Sequence, residues 1–300
     1  MKLSILRKNF IRRLKCFLGK HFPVLATHLL MKRILGYGLE LDHPQTLNQK
    51  LQWLKLFVYS NNQRVSDCID KFKVRDIVKE AGCDYTLTKL YGVWDCAEDI
   101  NWEELPEKFV LKCNHGSGYT IICKDKHHFD KTAAIKTLNE WMQENYGYED
   151  VELIYDTIKH KIICEEFIET EDGLPPKDYK IFCFYGEPKI LYVAQDRFEG
   201  NTKFDYYDLN WNWIDVRNGH PNAAIHLQKP KFLEEMLNVA KILTKEFPLV
   251  RVDFYYEKGK LYFGELTFLH FAGLQRFDPE EYDYKFGALF PIDTELLKRE

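Results

Sequence analysis

Two short segments far apart in the chain carry the residues that most constrain its fold and chemistry. In the first, the apolar run 109–111 leads through Lys112 into the Gly-Ser-Gly turn 116–118. In the second, Asp253 and Glu265 lie on two strand-like runs joined by a Glu-Lys-Gly-Lys turn. A lysine beside a glycine-rich turn offers donors to phosphate oxygens, and two carboxylates on adjacent strands offer ligands to a hard cation. The sequence therefore predicts a site for Mg²⁺ and ATP, shared by the two segments.

The composition limits the kinds of protein that this chain can be. Its 300 residues are 45% apolar, which is enough for the core of one large domain or of two closely packed ones. The eight cysteines form no C-x-x-C pair and no cluster with zinc-type spacing, so we expect free thiols in a reducing, cytoplasmic compartment. No run of 18 apolar residues occurs, so we expect no membrane span.

Charge is unevenly distributed along the chain. Residues 1–33 hold nine of the 42 Lys/Arg and none of the 46 Asp/Glu, so the remainder carries a net charge of −13. As a helix, this stretch places Phe10, Leu14 and Phe17 on one face that most of its basic residues avoid. Two interpretations stay open: residues 1–20 contact an anionic membrane surface, or the helix packs on its own domain. The acidic remainder argues against a nucleic-acid partner.

The periodicity indicates a helical N-terminal part followed by strands. Helices are predicted to begin after the N-cap residue Thr46 and to run over 67–80, 131–146 and 230–247. We interpret the segment 196–222 as an irregular connection. β-branched and aromatic runs predict strands over 86–93, 108–113, 120–124, 161–168, 179–185, 189–194, 249–256 and 260–268. The pattern is α+β with antiparallel hairpins.

Several polar candidates also have a purely structural interpretation. Lys71 lies four residues after Asp67 on a predicted helix, which is the spacing of an exposed ion pair. Of the neighbouring Glu165 and Glu166, one must face each side of the strand, so we expect one of them to be inward and paired.

The hairpin acids have two interpretations as well. Arg251 and Asp253 are two residues apart on one strand, and Glu265 and Thr267 repeat that spacing on its partner. One face therefore presents a cation, two carboxylates and a hydroxyl. A buried salt-bridge cluster explains the same residues, and this segment by itself leaves both interpretations open.

In this order along the chain, the segments resemble the ATP-grasp superfamily and, within it, the branch named for teichuronopeptide biosynthesis. The resemblance rests on residues 51–56, 108–118, 178–184 and 263–268, which read LQWLKL, KFVLKCNHGSG, DYKIFCF and FGELTF. It implies an ATP-grasp fold, in which two α+β subdomains grip ATP between them.

The resemblance also implies roles for individual residues. The phosphates of ATP would be held by Lys71, Lys112, Gly116, Ser117 and Gly118. The adenine would lie against the strand edge of Glu165, Glu166, Phe167 and Ile168, and the ribose against Asp172. The catalytic contacts to phosphates or to the reacting carboxylate would come from Lys180 and Arg251. The Mg²⁺ ligands would be Asp253, Glu265 and Thr267.

Two departures from the superfamily pattern matter. Many ATP-grasp enzymes carry Asn two residues after the second metal carboxylate, where this chain has Thr267, and a hydroxyl is a poorer Mg²⁺ ligand than an amide carbonyl. The stretch before Thr86 is short and helical, whereas most relatives begin with an α/β domain. The number of Mg²⁺ ions and the nature of the substrate-binding half are therefore left open.

From the resemblance we expect two regions. Residues 1–60 would form a basic, helical N-terminal region, and residues 61–300 would form the ATP-grasp domain. Within that domain we expect a lid-like subdomain over residues 84–165 and a C-terminal subdomain over residues 166–300.

The expected activity is ATP-dependent ligation of a carboxylate to an amine through an acyl phosphate. The resemblance implies a role in making or modifying bacterial cell-surface polysaccharide or teichuronopeptide, with a sugar or a lipid-linked glycan precursor as a partner. Two alternatives stay open. One is a kinase that phosphorylates a sugar hydroxyl, and the other is a non-catalytic nucleotide-binding partner of a polysaccharide assembly complex.

Overall fold

Helices precede and flank two large antiparallel sheets and a third sheet of two short strands. The computed structural model describes residues 2–197 and 200–292, with side chains described from residue 10 onward. Its helices are α1 (Lys2–His21), α2 (Pro23–Ile34), α3 (Leu47–Leu54), α4 (Gln63–Ile69), α5 (Val74–Glu80), α6 (Lys131–Met142), α7 (Leu233–Thr244) and α8 (Glu281–Ala288). Its strands are β1 (Leu90–Trp94), β2 (Phe109–Cys113), β3 (Thr120–Cys123), β4 (Ile162–Glu166), β5 (Asp178–Phe184), β6 (Glu187–Gln195), β7 (Lys203–Asp208), β8 (Trp213–Ile214), β9 (Arg217–Asn218), β10 (Leu249–Glu257), β11 (Lys260–Thr267) and β12 (Phe277–Asp278).

Helix α3 begins where the sequence predicts. The Thr46 hydroxyl accepts from the Gln49 backbone N–H, and the Gln49 side chain accepts in return from the Thr46 backbone, which is a capping box. The helix continues as a π-helical turn over Lys55–Tyr59. Leu47, Leu51 and Leu54 are fully buried in the larger core, so α3 is an integral part of the packed domain.

The predicted helix over 67–80 is wrong as a single element. Helix α4 ends at Ile69, and Asp70 takes an extended conformation with ψ of 110°. The Asp70 carboxylate accepts from the backbone N–H of Phe72 at 2.8 Å, which is a turn that competes with the helix. Lys71 therefore lies in the turn between α4 and α5.

Two antiparallel sheets carry most of the candidate residues. The first has the strand order β1-β4-β2-β3 and packs against α6. The second has the order β11-β10-β5-β6-β7-β8, and α7 packs against β5, β6 and β10. All eight predicted strands are present, with ends that shift by up to four residues. The α+β prediction is confirmed, and the predicted subdomain boundaries stay predictions.

Strand β7 corrects the interpretation of 196–222 as irregular. Its residues Phe204, Tyr206 and Tyr207 are almost fully buried. Asp205 is also buried, and it accepts hydrogen bonds from the Gln195 side chain and the Ala223 backbone. Because a paired acid occupies a core position, the strand lacks the apolar alternation that would reveal it.

Two simpler expectations can be compared with the structure directly. All eight cysteines are free thiols, as expected, and six of them are buried. Within the described ranges, no helix is long and apolar enough to cross a membrane.

Candidate functional site

The register of the second sheet places four polar side chains in one row. Glu265 on β11 lies opposite Asp253 on β10, which lies opposite Lys180 on β5, which lies opposite Tyr192 on β6. Directly opposed residues of antiparallel strands share one face of the sheet, so the row follows from pairing alone. Lys180 Nζ contacts the carboxylates of both Asp253 and Asp178, the latter at 2.7 Å.

Arg251 ties this row to the next pair of residues. Its Nε and Nη2 donate to the two carboxylate oxygens of Asp253 at 2.6 and 2.7 Å, and Nη2 also donates to Thr267 Oγ1 at 3.0 Å. The Thr267 hydroxyl donates in turn to Glu265 Oε1 at 3.1 Å. The structure thus brings together the cation, two carboxylates and hydroxyl predicted for this hairpin.

The pKa values of the two buried acids that contact Lys180, Asp253 and Asp178, are shifted in opposite directions. Burial opposes ionisation of Asp253, but Arg251 and Lys180 outweigh it and lower the pKa of this carboxyl. Burial raises the pKa of Asp178 even though Lys180 and Arg197 oppose the shift. The Asp178 Oδ1 atom is buried and has no hydrogen-bond partner among the described residues. One carboxylate oxygen of Asp178 therefore remains without a hydrogen bond, although Lys180 and Arg197 contact the other.

The glycine turn is held against the helical part by Asn114. The Asn114 side chain donates to Asp70 Oδ1 at 2.9 Å, and its backbone oxygen accepts from the Lys71 backbone N–H at 3.1 Å. Gly116 and Gly118 have φ of +80° and +81°, a backbone region that favours glycine. A Cβ at Gly116 would lie 2.7 Å from the Tyr146 ring, whereas Gly118 faces open space.

Lys112 is paired with a buried carboxylate. Its Nζ donates to Glu165 Oε2 at 2.6 Å, and Arg75 Nη1 donates to Glu165 Oε1 at 2.7 Å. Burial opposes ionisation of Glu165, but Lys112 and Arg75 outweigh it and lower the pKa of this carboxyl. This agrees with the prediction that one of the two neighbouring glutamates is inward and paired.

Lys71 links the two sheets. Its Nζ donates to the Gly116 carbonyl at 2.6 Å and lies 3.8 Å from Glu265 Oε2. The expected exposed pair with Asp67 is wrong, because Asp67 pairs instead with Lys73 at 2.7 Å. The side chain of Glu265 is 37% exposed while that of Asp253 is 2% exposed, so the cluster opens to solvent at Glu265.

The remaining predicted residues are less tightly connected. Glu165 and Glu166 belong to the central strand β4, which pairs with β1 and β2, whereas Phe167 and Ile168 lie beyond the ladder and are half-buried. Asp172 is exposed in a loop and accepts from the Leu174 backbone N–H at 3.0 Å. The structure gives Asp172 no hydrogen bond or ion pair to the other described site residues. Ser117 is exposed at the tip of the glycine turn.

The predicted site residues leave out Asp178, whose carboxylate contacts Lys180, and four further residues that contact the site. Arg75 approaches from α5, Arg197 Nη1 lies 2.9 Å from Asp178 Oδ2, and Tyr192 accepts from Arg251. His270 Nδ1 accepts from Arg251 Nη1 at 2.7 Å, so its proton is on Nε2, which donates to Asn218 at 2.8 Å. Arg197 carried a local signal, since it follows Asp196 just after the end of β6, whereas nothing in the local sequence marks the other three.

The residues present fit one divalent cation. The described ranges hold no group of three or more His, Cys, Asp or Glu that could bind a metal. Mg²⁺ in phosphate-binding sites usually takes only one or two carboxylates, with phosphate and water oxygens completing its shell. Glu265 Oε2 is 3.8 Å from Lys71 Nζ, and the three donors that the described residues place on Asp253 leave one of its roughly four acceptor positions free. The Thr267 hydroxyl is already engaged, because it accepts a hydrogen bond from Arg251 and donates one to Glu265.

The whole cluster is electropositive. Six cations and four carboxylates form its ion pairs, an excess of two positive charges that the nearby Asp70 carboxylate reduces to one. The cations are Lys71, Arg75, Lys112, Lys180, Arg197 and Arg251, and the carboxylates are Glu165, Asp178, Asp253 and Glu265. Such an arrangement suits a polyanion accompanied by a cation.

Solved structures that match the chain include three ligases. The D-alanine–D-alanine ligase of Bacillus anthracis is 19% identical with a TM-score of 0.41, and the match covers 68% of this chain and 58% of that one. The L-amino acid ligase of Bacillus licheniformis is 13% identical with a TM-score of 0.45, covering 87% and 58%. The D-alanine–D-alanine ligase of Helicobacter pylori is 14% identical with a TM-score of 0.44, covering 85% and 71%. The chain thus spans under two thirds of the first two ligases.

Sequence comparisons identify the family. No curated protein sequence matches the chain. A family model described as TupA-like ATPgrasp matches residues 49–291, which include both sheets and every residue of the cluster. The chain therefore belongs to the TupA-like ATP-grasp family and has the ATP-grasp fold.

Proposed function

We propose that this protein is an ATP-dependent ligase that activates a carboxylate as an acyl phosphate and joins it to an amine. One observation carries the proposal: Lys180, Asp253 and Glu265 lie in register on three strands and meet Lys71 and the glycine turn. Phosphoryl transfer depends on positioned cations and metal ligands rather than on a side-chain nucleophile, and this cluster supplies both.

The first sheet would hold the phosphates. Lys71 and Lys112 each offer an ammonium group, and the backbone N–H groups of the glycine turn 116–118 offer further donors. When Lys112 turns from Glu165 to a phosphate, Arg75 stays beside Glu165 and keeps that carboxylate paired. Lys112 can therefore exchange partners without leaving a buried charge alone.

The second sheet would hold the metal and the reacting groups. Asp253 and Glu265 would ligate Mg²⁺, with Thr267 orienting Glu265 through its hydroxyl. When bound, Mg²⁺–ATP would supply the electrophilic γ-phosphorus and partial neutralisation of the phosphate charge. Lys180 and Arg251 would donate hydrogen bonds to the transferred phosphoryl group and to the substrate carboxylate.

The nucleoside would lie past the end of β4. The backbone of Phe167 and Ile168 lies beyond the sheet ladder, so its N–H and C=O groups are available to an adenine edge. Asp172, in the exposed loop that follows, would bind the ribose hydroxyls if the loop closes over the nucleotide.

The substrates would come from bacterial cell-surface glycan synthesis. This part of the proposal is supported by the teichuronopeptide branch that the sequence resembles and by the family match. The free, mostly buried cysteines support action in the reducing cytoplasm, where ATP is available. Amino sugars and uronic acids carry the amine and carboxylate that such a reaction needs, so precursors bearing them are the first substrates to assay.

Hydroxylamine trapping tests the reaction class. The protein is incubated with Mg²⁺–ATP, a panel of carboxylate-bearing glycan precursors and hydroxylamine, and both ADP and hydroxamate are measured. A ligase yields hydroxamate in proportion to ADP, because hydroxylamine intercepts the acyl phosphate. ADP with a phosphorylated sugar but no hydroxamate would instead identify a kinase. ATP binding without ADP formation for any precursor would identify a non-catalytic partner.

A further inference from the structure

Helix α1 turns an apolar face away from the protein. Phe10, Leu14 and Phe17, spaced at helical intervals, are 67%, 48% and 54% exposed. The opposite face packs on the domain, because Gly19 lies so close that a Cβ there would be 2.1 Å from the Tyr148 carbonyl. On that same packed side Arg12 pairs with Glu149. The orientation of α1 is therefore set, and Phe10, Leu14 and Phe17 lie on its solvent-facing side.

Helix α2 extends this exposed face. Phe22, Leu25 and Leu29 are each about half exposed, whereas the other side of α2 is buried. The rings of Phe17 and Phe22 lie 6.3 Å apart and join the two helices across the turn. Of the 19 exposed large apolar residues in the described ranges, eight fall between residues 10 and 29. Such clustering marks an interaction surface, since scattered exposure is the ordinary pattern.

The charge of this hairpin indicates what covers it. Residues 1–33 contain nine Lys/Arg and no acid, while the rest of the chain is acidic. Arg13, Lys32 and Arg33 are exposed and form no ion pair within the described ranges. In a symmetric dimer through this face, the basic residues of one copy would meet those of the other. An anionic lipid surface instead accepts both the apolar and the basic side chains.

We propose that the α1–α2 hairpin docks on the surface of a bilayer that contains anionic phospholipid. Phe10, Leu14, Phe17, Phe22 and Leu25 enter the headgroup region, and the exposed basic residues contact lipid phosphates. The hairpin precedes residue 49, where the family match begins, and it contributes none of the ten charged residues of the proposed nucleotide site. The proposal stands whether or not the protein is a ligase.

Vesicle sedimentation tests the proposal with matched variants. The full chain is mixed with vesicles of phosphatidylcholine, or of phosphatidylcholine with about 30% phosphatidylglycerol, at low and high salt. The apolar test variant is Phe10→Ser/Leu14→Ser/Phe17→Ser, and its control is Leu174→Ser/Ile225→Ser/Ile242→Ser, exposed apolar residues outside the hairpin. The charge test variant is Arg13→Gln/Lys32→Gln/Arg33→Gln, and its control is Lys189→Gln/Lys229→Gln/Lys231→Gln.

The proposal expects binding to anionic vesicles at low salt, a steep loss at high salt, and at least about tenfold weaker binding for each test variant. Both control variants should bind as the unaltered protein does. Circular dichroism checks that each variant is folded. If the apolar variant is unfolded, vesicle binding by the charge variant decides whether the proposal stands.

Three outcomes would overturn the proposal. The unaltered protein could fail to sediment with anionic vesicles, or it could sediment equally with neutral ones. Alternatively, light scattering could find a dimer that the apolar variant converts to a monomer without any vesicle binding. That last result would show that the face joins two copies of the chain.

Discussion

Glu165 has two cationic partners, and this redundancy would allow Lys112 to exchange Glu165 for a ligand, as proposed. Arg75 and Lys112 each donate to one of its carboxylate oxygens, and Thr88 adds a further hydrogen bond. The side chain of Lys112 is 26% exposed, whereas that of Arg75 is 10% exposed. Arg75 is therefore the structural partner of Glu165, and Lys112 is the one that reaches solvent.

Replacing Lys112 should weaken nucleotide binding without unfolding the protein. Lys112→Ala removes one charge-assisted hydrogen bond to phosphate, so Mg²⁺–ATP binding should weaken by about 1.5–3 kcal/mol. Calorimetric titration measures the change. Lys108→Ala, an exposed lysine next to the same strand, serves as the control and should bind as before. Unaltered affinity in a folded Lys112→Ala protein would remove Lys112 from the site.

The two carboxylates proposed as metal ligands, Asp253 and Glu265, should respond differently to neutralisation. Glu265→Gln alters a partly exposed group, so the melting temperature should equal that of the unaltered protein, whereas ATP turnover should be lost. Asp253→Asn leaves Arg251 and Lys180 without their shared buried counter-charge, so we expect a loss of about 3–5 kcal/mol in unfolding free energy as well. Thermal unfolding and ADP release measure the two effects. Full activity in Glu265→Gln would exclude Glu265 as a metal ligand.

At the scale of elements, alanine substitutions can distinguish two roles of a glycine in the glycine turn. One role is to avoid backbone strain, and the other is to let a ligand approach closely. Gly118 and Gly259 have φ of +81° and +80°, and a methyl group added at either position would have no atom within 4 Å. Alanine at either position costs about 1–2 kcal/mol of backbone strain. Only Gly118→Ala should weaken ATP binding, because only that methyl group would stand between the turn and a phosphate. Equal affinities in the two variants, measured by calorimetry, would contradict the proposed role of the turn.

The sequence predicts the elements where local signals act alone. Thr46 and Gln49 cap α3 through contacts within one turn, and the β10–β11 hairpin follows from alternation and a turn. The prediction of one helix over 67–80 is wrong because the Asp70 side chain accepts a hydrogen bond from a backbone N–H and interrupts the helix. Hydrophobic periodicity carries no information about such a hydrogen bond. Strand β7 is missed because its buried Asp205 finds partners on other elements.

At the scale of the whole molecule, the site exists only because the two sheets meet. Lys71 lies in the turn between α4 and α5, Gly116 in the turn between β2 and β3 of the first sheet, and Glu265 on the second sheet, and they come within hydrogen-bond or ion-pair distance. Such contacts join residues up to about 190 positions apart, so local sequence patterns do not reveal them. The resemblance to a known family supplied Lys71, whereas Arg75 and His270 became visible only in three dimensions.

The stability of the folded chain should depend on His115 in mild acid. Burial, aided by His160 and Lys71, lowers the pKa of His115 to about 4 from its usual 6.5. Below pH 6.5 the unfolded chain therefore takes up a proton that the folded chain refuses, and stability falls as the pH approaches 4. This group accounts for a loss of up to about 3 kcal/mol.

Urea unfolding at several pH values between 7 and 4 measures this dependence. His115→Gln should show a shallower decline in unfolding free energy than the unaltered protein over that interval. His127→Gln, which replaces an exposed histidine, is the control and should follow the unaltered protein. Parallel curves for all three proteins would contradict the assignment to His115.

A structure of the protein with Mg²⁺ and a non-hydrolysable ATP analogue tests the central claim most directly. We predict Mg²⁺ at about 2.0–2.1 Å from oxygens of Asp253 and Glu265, with phosphates against Lys71, Lys112 and the glycine turn. In that state Lys112 should have left Glu165, which Arg75 still holds. A nucleotide bound elsewhere, or a bound nucleotide with Asp253 and Glu265 free of metal, would contradict the account.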